Sequence, residues 1–251
     1  MMILSAQGVT FHYPSRPVLE QVSFEVAKGE LLAVLGTNGT GKTTLLKCLN
    51  RILKPAAGVV LIDDQPIAGL GRNALAQRIG YVEQQRSGSR ASVFNTVLLG
   101  RKPYIQWDIT QNDMDIAAQA LDTLGLGGYA LRFLDELSGG ELQKVVIARA
   151  LAQQPEILLM DEPTNSLDLK NQLEVLSLVR QITRQRRIAA VVAMHDLNLA
   201  LRFADRFLLL KDRRIFAAGG AEVMTPANIE AVYAVPVAVT SHHGHQFVIP
   251  L

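Results

Sequence analysis

Apolar positions along the chain follow three kinds of pattern. In "GVTFHYP" (Gly8–Pro14) and "VLEQVSFEVAKGE" (Val18–Glu30) apolar and polar residues alternate, with turn signals between, which predicts two half-buried antiparallel strands. By contrast "LLAVL" (Leu31–Leu35), the "ILLM" of "EILLMDEP" and "RIAAVVAMH" are continuously apolar, as strands buried on both faces of a parallel sheet are. Helical spacing marks the rest. In "TTLLKCLNRILKP" it places Leu45, Leu46, Leu49 and Leu53 on one helix, stopped by Pro55 and Gly58. From about Ser87 to Gln154 the chain reads as mostly helical, with "VFNTVLLGRKPY", then "TQNDMDIAAQALDTLGLGG" opening on a Thr110/Asp113 cap and closing on glycines. "DLKNQLEVLSLVRQITRQ" predicts a long amphipathic helix. "RFLLLKDRRIFAAGG" predicts a hairpin turning at "KDRR", and a short helix follows near Pro226–Tyr233.

No glycine-serine linker or low-complexity tract divides the chain, and no internal repeat is present. The pattern predicts an α/β fold as a single domain over residues 1–251. A mainly parallel sheet with an N-terminal antiparallel β subdomain spans 1–86 and 155–251, and a helical subdomain is inserted at 87–154.

Composition narrows the class. Hydrophobic residues make up 49% and charged residues 19%, yet the longest clean apolar run, "IAAVVAM", is far shorter than the ~20 residues of a membrane span. The opening "MMILSAQGVTFHYP" has no leader pattern, so an unprocessed cytoplasmic chain is expected. A net charge of +2 exerts no strong pull on nucleic acid, and "RQRR" (Arg184–Arg187) reads as a solvated helix end. The lone Cys48 forms no intramolecular disulfide and sits on an apolar helix face, which predicts a buried thiol.

Three stretches carry chemistry. In "GTNGTGKTT", Gly36, Gly41, Lys42 and Thr43 fit G-x-x-x-x-G-K-[ST], the phosphate-binding loop of nucleoside triphosphatases, between a predicted strand and a predicted helix. Backbone N–H groups from Gly36, Thr37, Asn38, Gly39, Thr40 and Gly41 through Thr44 suit phosphate, Lys42 reaches its terminal oxygens, and the Thr43 hydroxyl suits Mg²⁺. A chance match in a chain of this length is on the order of one in a hundred. Second, Asp161 and Glu162 emerge at the carboxyl end of the "ILLM" strand, the edge where open α/β sheets bind ligands. Asp161 suits the Mg²⁺ shell, and Glu162 suits orienting or deprotonating a water for attack on a γ-phosphate. Third, in "LSGGELQKVVIARAL" Ser138 and Glu141 form a capping box ahead of an apolar face of Leu142, Val145, Val146 and Ala150. Gly139 and Gly140 in its first turn each cost about 1 kcal/mol relative to alanine, which suggests that backbone approaches something closely there, such as an anion.

Together these motifs resemble the nucleotide-binding subunit of an ATP-binding cassette (ABC) transporter over essentially the whole chain. "GTNGTGKT" is similar to the Walker A loop, "ILLMDEP" to the Walker B strand and "LSGGE" to the family signature, in the family's order. The resemblance implies a P-loop NTPase core that hydrolyses ATP with Mg²⁺. It assigns Gln84 of "GYVEQQ" to Mg²⁺ and coupling, Asp168 of "SLD" to a dimer contact, His195 of "AMHD" to catalysis beside Glu162, and Tyr13 to the adenine. It further implies a head-to-tail homodimer in which Ser138, Gly139, Gly140 and Glu141 contact the ATP held by the partner's Lys42. The chain departs from the family pattern at Thr37, where proline is usual, at Glu141, where glutamine is common, and in "ELQKV", which replaces a frequent glutamine-arginine sequence.

"NTVLLGRKPY" (Asn95–Tyr104) and "GGAEVMTPANIEAVYAVPVAV" (Gly219–Val239) resemble stretches of importer subunits for iron-siderophore, haem, cobalamin or metal-oxyanion cargo. The resemblance implies a peripheral protein on the cytoplasmic face of the membrane, partnered by a polytopic permease and, through it, a substrate-binding protein, with no nucleic acid. An export subunit is a variant, because the core motifs do not encode direction. A soluble cassette acting on nucleic acid or ribosomes is the alternative; the near-neutral charge and the lack of a second cassette or long insertion weigh against it. The histidines of "SHHGHQF" read as a polar turn, since no cysteine or acid accompanies them.

Overall fold

The computed structural model describes residues 1–83 and 90–251. Strands β1 (Met2–Tyr13) and β2 (Arg16–Ala27) pair antiparallel, as the alternation predicts, and lead to β3 (Leu31–Leu35). Next come α1 (Lys42–Leu49), β4 (Ala57–Ile62), β5 (Gln65–Pro66), α2 (Arg72–Arg78) and β6 (Ile79–Val82). The helical stretch holds α3 (Val93–Leu98), α4 (Gln111–Thr123) and α5 (Gly139–Ala152). The chain returns through β7 (Ile157–Asp161), α6 (Leu169–Arg186), β8 (Ala189–Ala193), α7 (Leu197–Phe203), β9 (Arg206–Lys211) and β10 (Arg214–Gly219). It closes with α8 (Pro226–Tyr233) and the hairpin β11 (Val237–His242) and β12 (His245–Pro250).

Among the described residues one sheet runs β2-β1-β4-β5 and is antiparallel. The central sheet runs β10-β9-β3-β8-β7-β6, parallel throughout except for the β9–β10 hairpin. Every residue of β3, β7 and β8 is buried, and the period of two sends alternate side chains into two cores. Leu31, Ala33, Leu35, Met160 and Val192 face one core with α3 to α6. Leu32, Val34, Leu159 and Val191 face the other, with α1 and the antiparallel sheet. Cys48 is in that second core, where burial pushes its thiol up to about 12 and leaves it unreactive.

Register decides where the chemistry lies. Val34 of β3 pairs with Ala193 of β8, and Ala193 pairs with Asp161 of β7, so three strands end in one row. With neighbouring strands about 4.8 Å apart, the residues just past that row emerge side by side.

Two expectations shift. The helix after the glycine loop ends at Leu49, not beyond Leu53. Arg51 turns left-handed (φ 53) while its guanidinium donates to the carbonyls of Ile67 (2.7 Å) and Leu70 (2.6 Å), which draws the chain out of the helix before Pro55. The buried face of α5 is also wider than predicted. Val145, Ile147, Ala148, Leu151 and Gln143 are buried, while Leu142 and Val146 are only partly so, because α5 packs against α3, α4 and α6 together. An ion pair locks the far end of α5. Arg101, 3% exposed, donates from Nε to Asp113 Oδ1 (3.0 Å) and from Nη1 to the Ala152 carbonyl (2.9 Å). Asp113 closes the Thr110 capping box at the start of α4.

Candidate functional site

β3 delivers Gly36, whose φ of 151° is open to glycine and whose added Cβ would lie 2.6 Å from the Leu210 carbonyl. The Gly36 carbonyl accepts from Lys42 Nζ (2.8 Å), as does that of Thr37 (3.1 Å). The Thr40 hydroxyl donates to Thr37 O (2.8 Å) and closes the loop on itself. At its end Gly41 (φ 105) enters α1 without a side-chain cap, so the first-turn N–H groups are left for a ligand. Lys42 is only 5% exposed; burial lowers its pKa from the usual lysine value, against the opposing pull of Glu162 and Asp161.

β7 ends on Asp161, buried, with its Oδ1 accepting from the Thr43 hydroxyl at 2.9 Å. Burial raises its pKa above the usual aspartate value, and the Thr43 bond works the other way. The next residue, Glu162, adopts φ 49, a left-handed turn that costs an L-residue roughly 1–2 kcal/mol. Its N–H donates to Ala193 O (3.1 Å), and the turn swings its carboxylate sideways onto β8's exit, where Oε1 is hydrogen-bonded to His195 Nε2. Asn165 Nδ2 donates to the other oxygen at 3.3 Å. His195 Nδ1 lies 3.5 Å from Lys42 Nζ. Because lysine only donates and a carboxylate only accepts, a neutral imidazole protonated on Nε2 satisfies both neighbours.

Lys42, Thr43, Asp161, Glu162 and His195, separate in sequence, therefore meet at one sheet edge. Beside them a cavity of about 120 Å³ is lined by Arg16, Val18, Asn38, Gly39, Thr44 and Glu162 among others. Tyr13 does not line it. It pairs with Arg16 in the β1–β2 register, 36% exposed, its ring edge-on to Phe11 at 5.0 Å. The arrangement offers N–H groups and an ammonium to an anion, a hydroxyl and a carboxylate to a hard cation, and a carboxylate–imidazole pair to a water.

The signature residues are elsewhere. Ser138 caps α5; its N–H and hydroxyl both donate to Glu141 Oε2 (2.8 and 2.7 Å), which lowers the Glu141 pKa. Gly140 is buried because a Cβ there would meet Asn171 Oδ1 at 2.4 Å, so the close approach inferred from this glycine is to α6 of the same chain. Gly139 is exposed with no such constraint. Among the described residues no hydrogen bond joins Ser138 to the Lys42 cluster. Asp168 caps α6 by accepting from Asn171 N–H (2.8 Å). Gln84 lies outside the described residues.

A family model described as ABC transporter matches residues 19–165, more than half of the chain. The chain belongs to the ABC transporter family. It is 53% identical over 251 residues to an uncharacterised ABC transporter ATP-binding protein of Methanocaldococcus jannaschii, covering 100% of this chain and 99% of that one. The achromobactin transport ATP-binding protein of Dickeya dadantii is 36% identical over 237 residues, covering 93% and 88%. A chain from a structure described as a metal-chelate type ABC transporter in an inward-facing conformation superposes with a TM-score of 0.88 at 33% identity, covering 100% and 98%. The cassette is an ATPase of the ABC type with an α/β P-loop fold. Among its described residues no helix is long and apolar enough to cross a membrane.

Sequence reasoning missed four participants. Arg16 and Val18 line the cavity from a hairpin that alternation marks only as half-buried, and Asn165 holds Glu162 from a turn without periodicity. Tyr233 Oη accepts from Gly36 N–H at 2.9 Å across 197 residues, a contact with no local signal.

Proposed function

We propose that this cassette binds Mg-ATP on the Gly36–Thr44 loop and hydrolyses it with Glu162 and His195 to drive a membrane permease importing a metal chelate. The observation that carries the reading is the convergence of Lys42, Asp161, Glu162 and His195 at the ends of three adjacent strands. The Thr43 hydroxyl and Asp161 carboxylate, already in contact, are hard oxygen donors that would hold Mg²⁺, which would supply charge neutralisation to the phosphates. Lys42, held by two loop carbonyls, presents its ammonium to the terminal phosphate. Glu162 accepts the proton of the attacking water, and His195 fixes the Glu162 carboxylate from one side while Asn165 fixes it from the other. Tyr13 borders the adenine from the rim.

The signature supplies the partner chain's half of the site. Ser138 and Gly139 are exposed, satisfied only locally, and aligned at a helix N-terminus that favours an anion, so a second copy arranged head-to-tail completes each ATP site, with Asp168 at the seam. The helices between residues 87 and 154 form the unit that meets the permease, at a cavity of about 470 Å³ lined by Arg51, Arg72, Tyr81, Leu99 and Arg149. The metal-chelate assignment rests on the achromobactin and metal-chelate relatives, and none of the relatives above is described as acting on nucleic acid. Purification from detergent-solubilised native membranes tests the whole: a stoichiometric polytopic permease is expected, and a ribosome or DNA partner with no permease would overturn the transport reading.

A further inference from the structure

The tail beyond residue 220 supplies no reacting group, yet it grips both sides of the site. α8 ends on Tyr233, whose hydroxyl accepts from the buried Gly36 N–H at 2.9 Å. The Gly36 carbonyl in turn accepts from Lys42 Nζ at 2.8 Å. On the far side Asn198, three residues past His195, bonds both backbone groups of Val248 in β12, donating from Nδ2 to the carbonyl (3.2 Å) and accepting from the N–H on Oδ1 (2.8 Å). Tyr233 and the hairpin both lie beyond residues 19–165, the stretch the family model matches.

We infer that Tyr233 is a positioning residue of the nucleotide site, fixing the phosphate loop at Gly36 and, through the Gly36 carbonyl, the ammonium of Lys42. The inference rests on the reading of that loop as the ATP phosphate site. Gly36 leaves β3 at φ 151° with Leu210 O 2.6 Å from where a Cβ would stand, and its N–H finds its partner in the tail. A buried N–H without an acceptor is unfavourable, and the loop would relax toward geometries that move the Gly36 carbonyl off Lys42. The phenol suits the task. Burial pushes it up to about 12, so it stays neutral over the working pH range, and α8 is held from below by Ile229 and Val232 in the main core.

Tyr233→Phe keeps the ring and deletes the acceptor. KM for Mg-ATP is expected to rise about tenfold with kcat changed less than about twofold, the magnitude of one hydrogen bond lost at a buried group. Exchange of the Gly36 amide, read in protein labelled with ¹⁵N-glycine, should quicken about tenfold as well. Met224→Ala, which loosens the same tail by emptying a buried core position, controls for a merely structural role: it should lower Tm and leave KM in place. Wild-type KM and unchanged Gly36 exchange in Tyr233→Phe would overturn the inference, as would a KM shift that Met224→Ala reproduces. Wild-type protein that binds no nucleotide would instead defeat the phosphate-site reading itself.

Discussion

The carboxyl edge of the parallel sheet and the first turn of α5 are both glycine-containing, polar and built around a helix N-terminus, but they are held differently. At the sheet edge each functional side chain is fixed by a different element: Lys42 by the loop carbonyls, Asp161 by α1 through Thr43, and Glu162 by His195 and Asn165. At the start of α5 the hydrogen bonds of Ser138 are to Glu141 three residues on, and Gly139 is exposed, its nearest neighbour for an added Cβ being Leu167 at 3.7 Å. One region is a finished constellation for chemistry and the other is a prepared surface. The difference separates residues that long-range contacts fix within one chain from residues that are exposed and satisfied locally, which on the head-to-tail reading proposed above would complete a partner's site.

Glu162→Gln breaks the first region most sharply. Hydrolysis should fall about a thousandfold, about 4 kcal/mol of barrier, while nucleotide binding persists; near-parental turnover would remove Glu162 from the chemistry. Asp113→Asn tests the anchor at the far end of α5, leaving Arg101 as a buried charge without its partner, at a cost of about 3 kcal/mol read as a Tm drop of roughly 6–12 °C. The sign of its pH dependence follows from the pKa, which Thr110 and Arg101 hold below the usual aspartate value. The ion pair therefore contributes fully above the unfolded value near 4 and is lost as pH falls through the lower folded one, so acid unfolding of the parent should include a step that Asp113→Asn lacks.

Two glycines sharpen the second region. Gly140→Ala pushes the Asn171 amide aside, so it should melt below Gly139→Ala. Gly139→Ala, whose nearest new contact is Leu167 at an ordinary 3.7 Å, should stabilise the fold by up to about 1 kcal/mol, yet weaken ATP-dependent association of two chains. Equal melting shifts for the two would erase the distinction between packing and display.

Where the sequence pattern is local, the fold is legible in it. Continuous apolar runs locate β3, β7 and β8, the Thr110 and Ser138 capping boxes locate the starts of α4 and α5, and Pro226 locates the start of α8. What escapes is set by distance. The early end of α1 depends on carbonyls sixteen and nineteen residues away from Arg51, the glycine at 140 on Asn171 of another helix, and the grip on Gly36 on a tyrosine 197 residues downstream. The left-handed turn at Glu162 is likewise invisible in an acidic side chain that ordinarily continues a strand. The site's lysine and acids are readable because phosphate chemistry requires those residue types at that spacing; the groups that hold them in place obey no such rule.

Sedimentation of the Glu162→Gln protein with Mg-ATP, against the same protein with Mg-ADP, tests the central claim most directly. A finished half-site and a lent surface on each chain predict a dimer with ATP and a monomer with ADP, the dimer lost in Gly139→Ala. A monomer at saturating, demonstrably bound ATP would contradict the account, because the exposed start of α5 would then complete nothing.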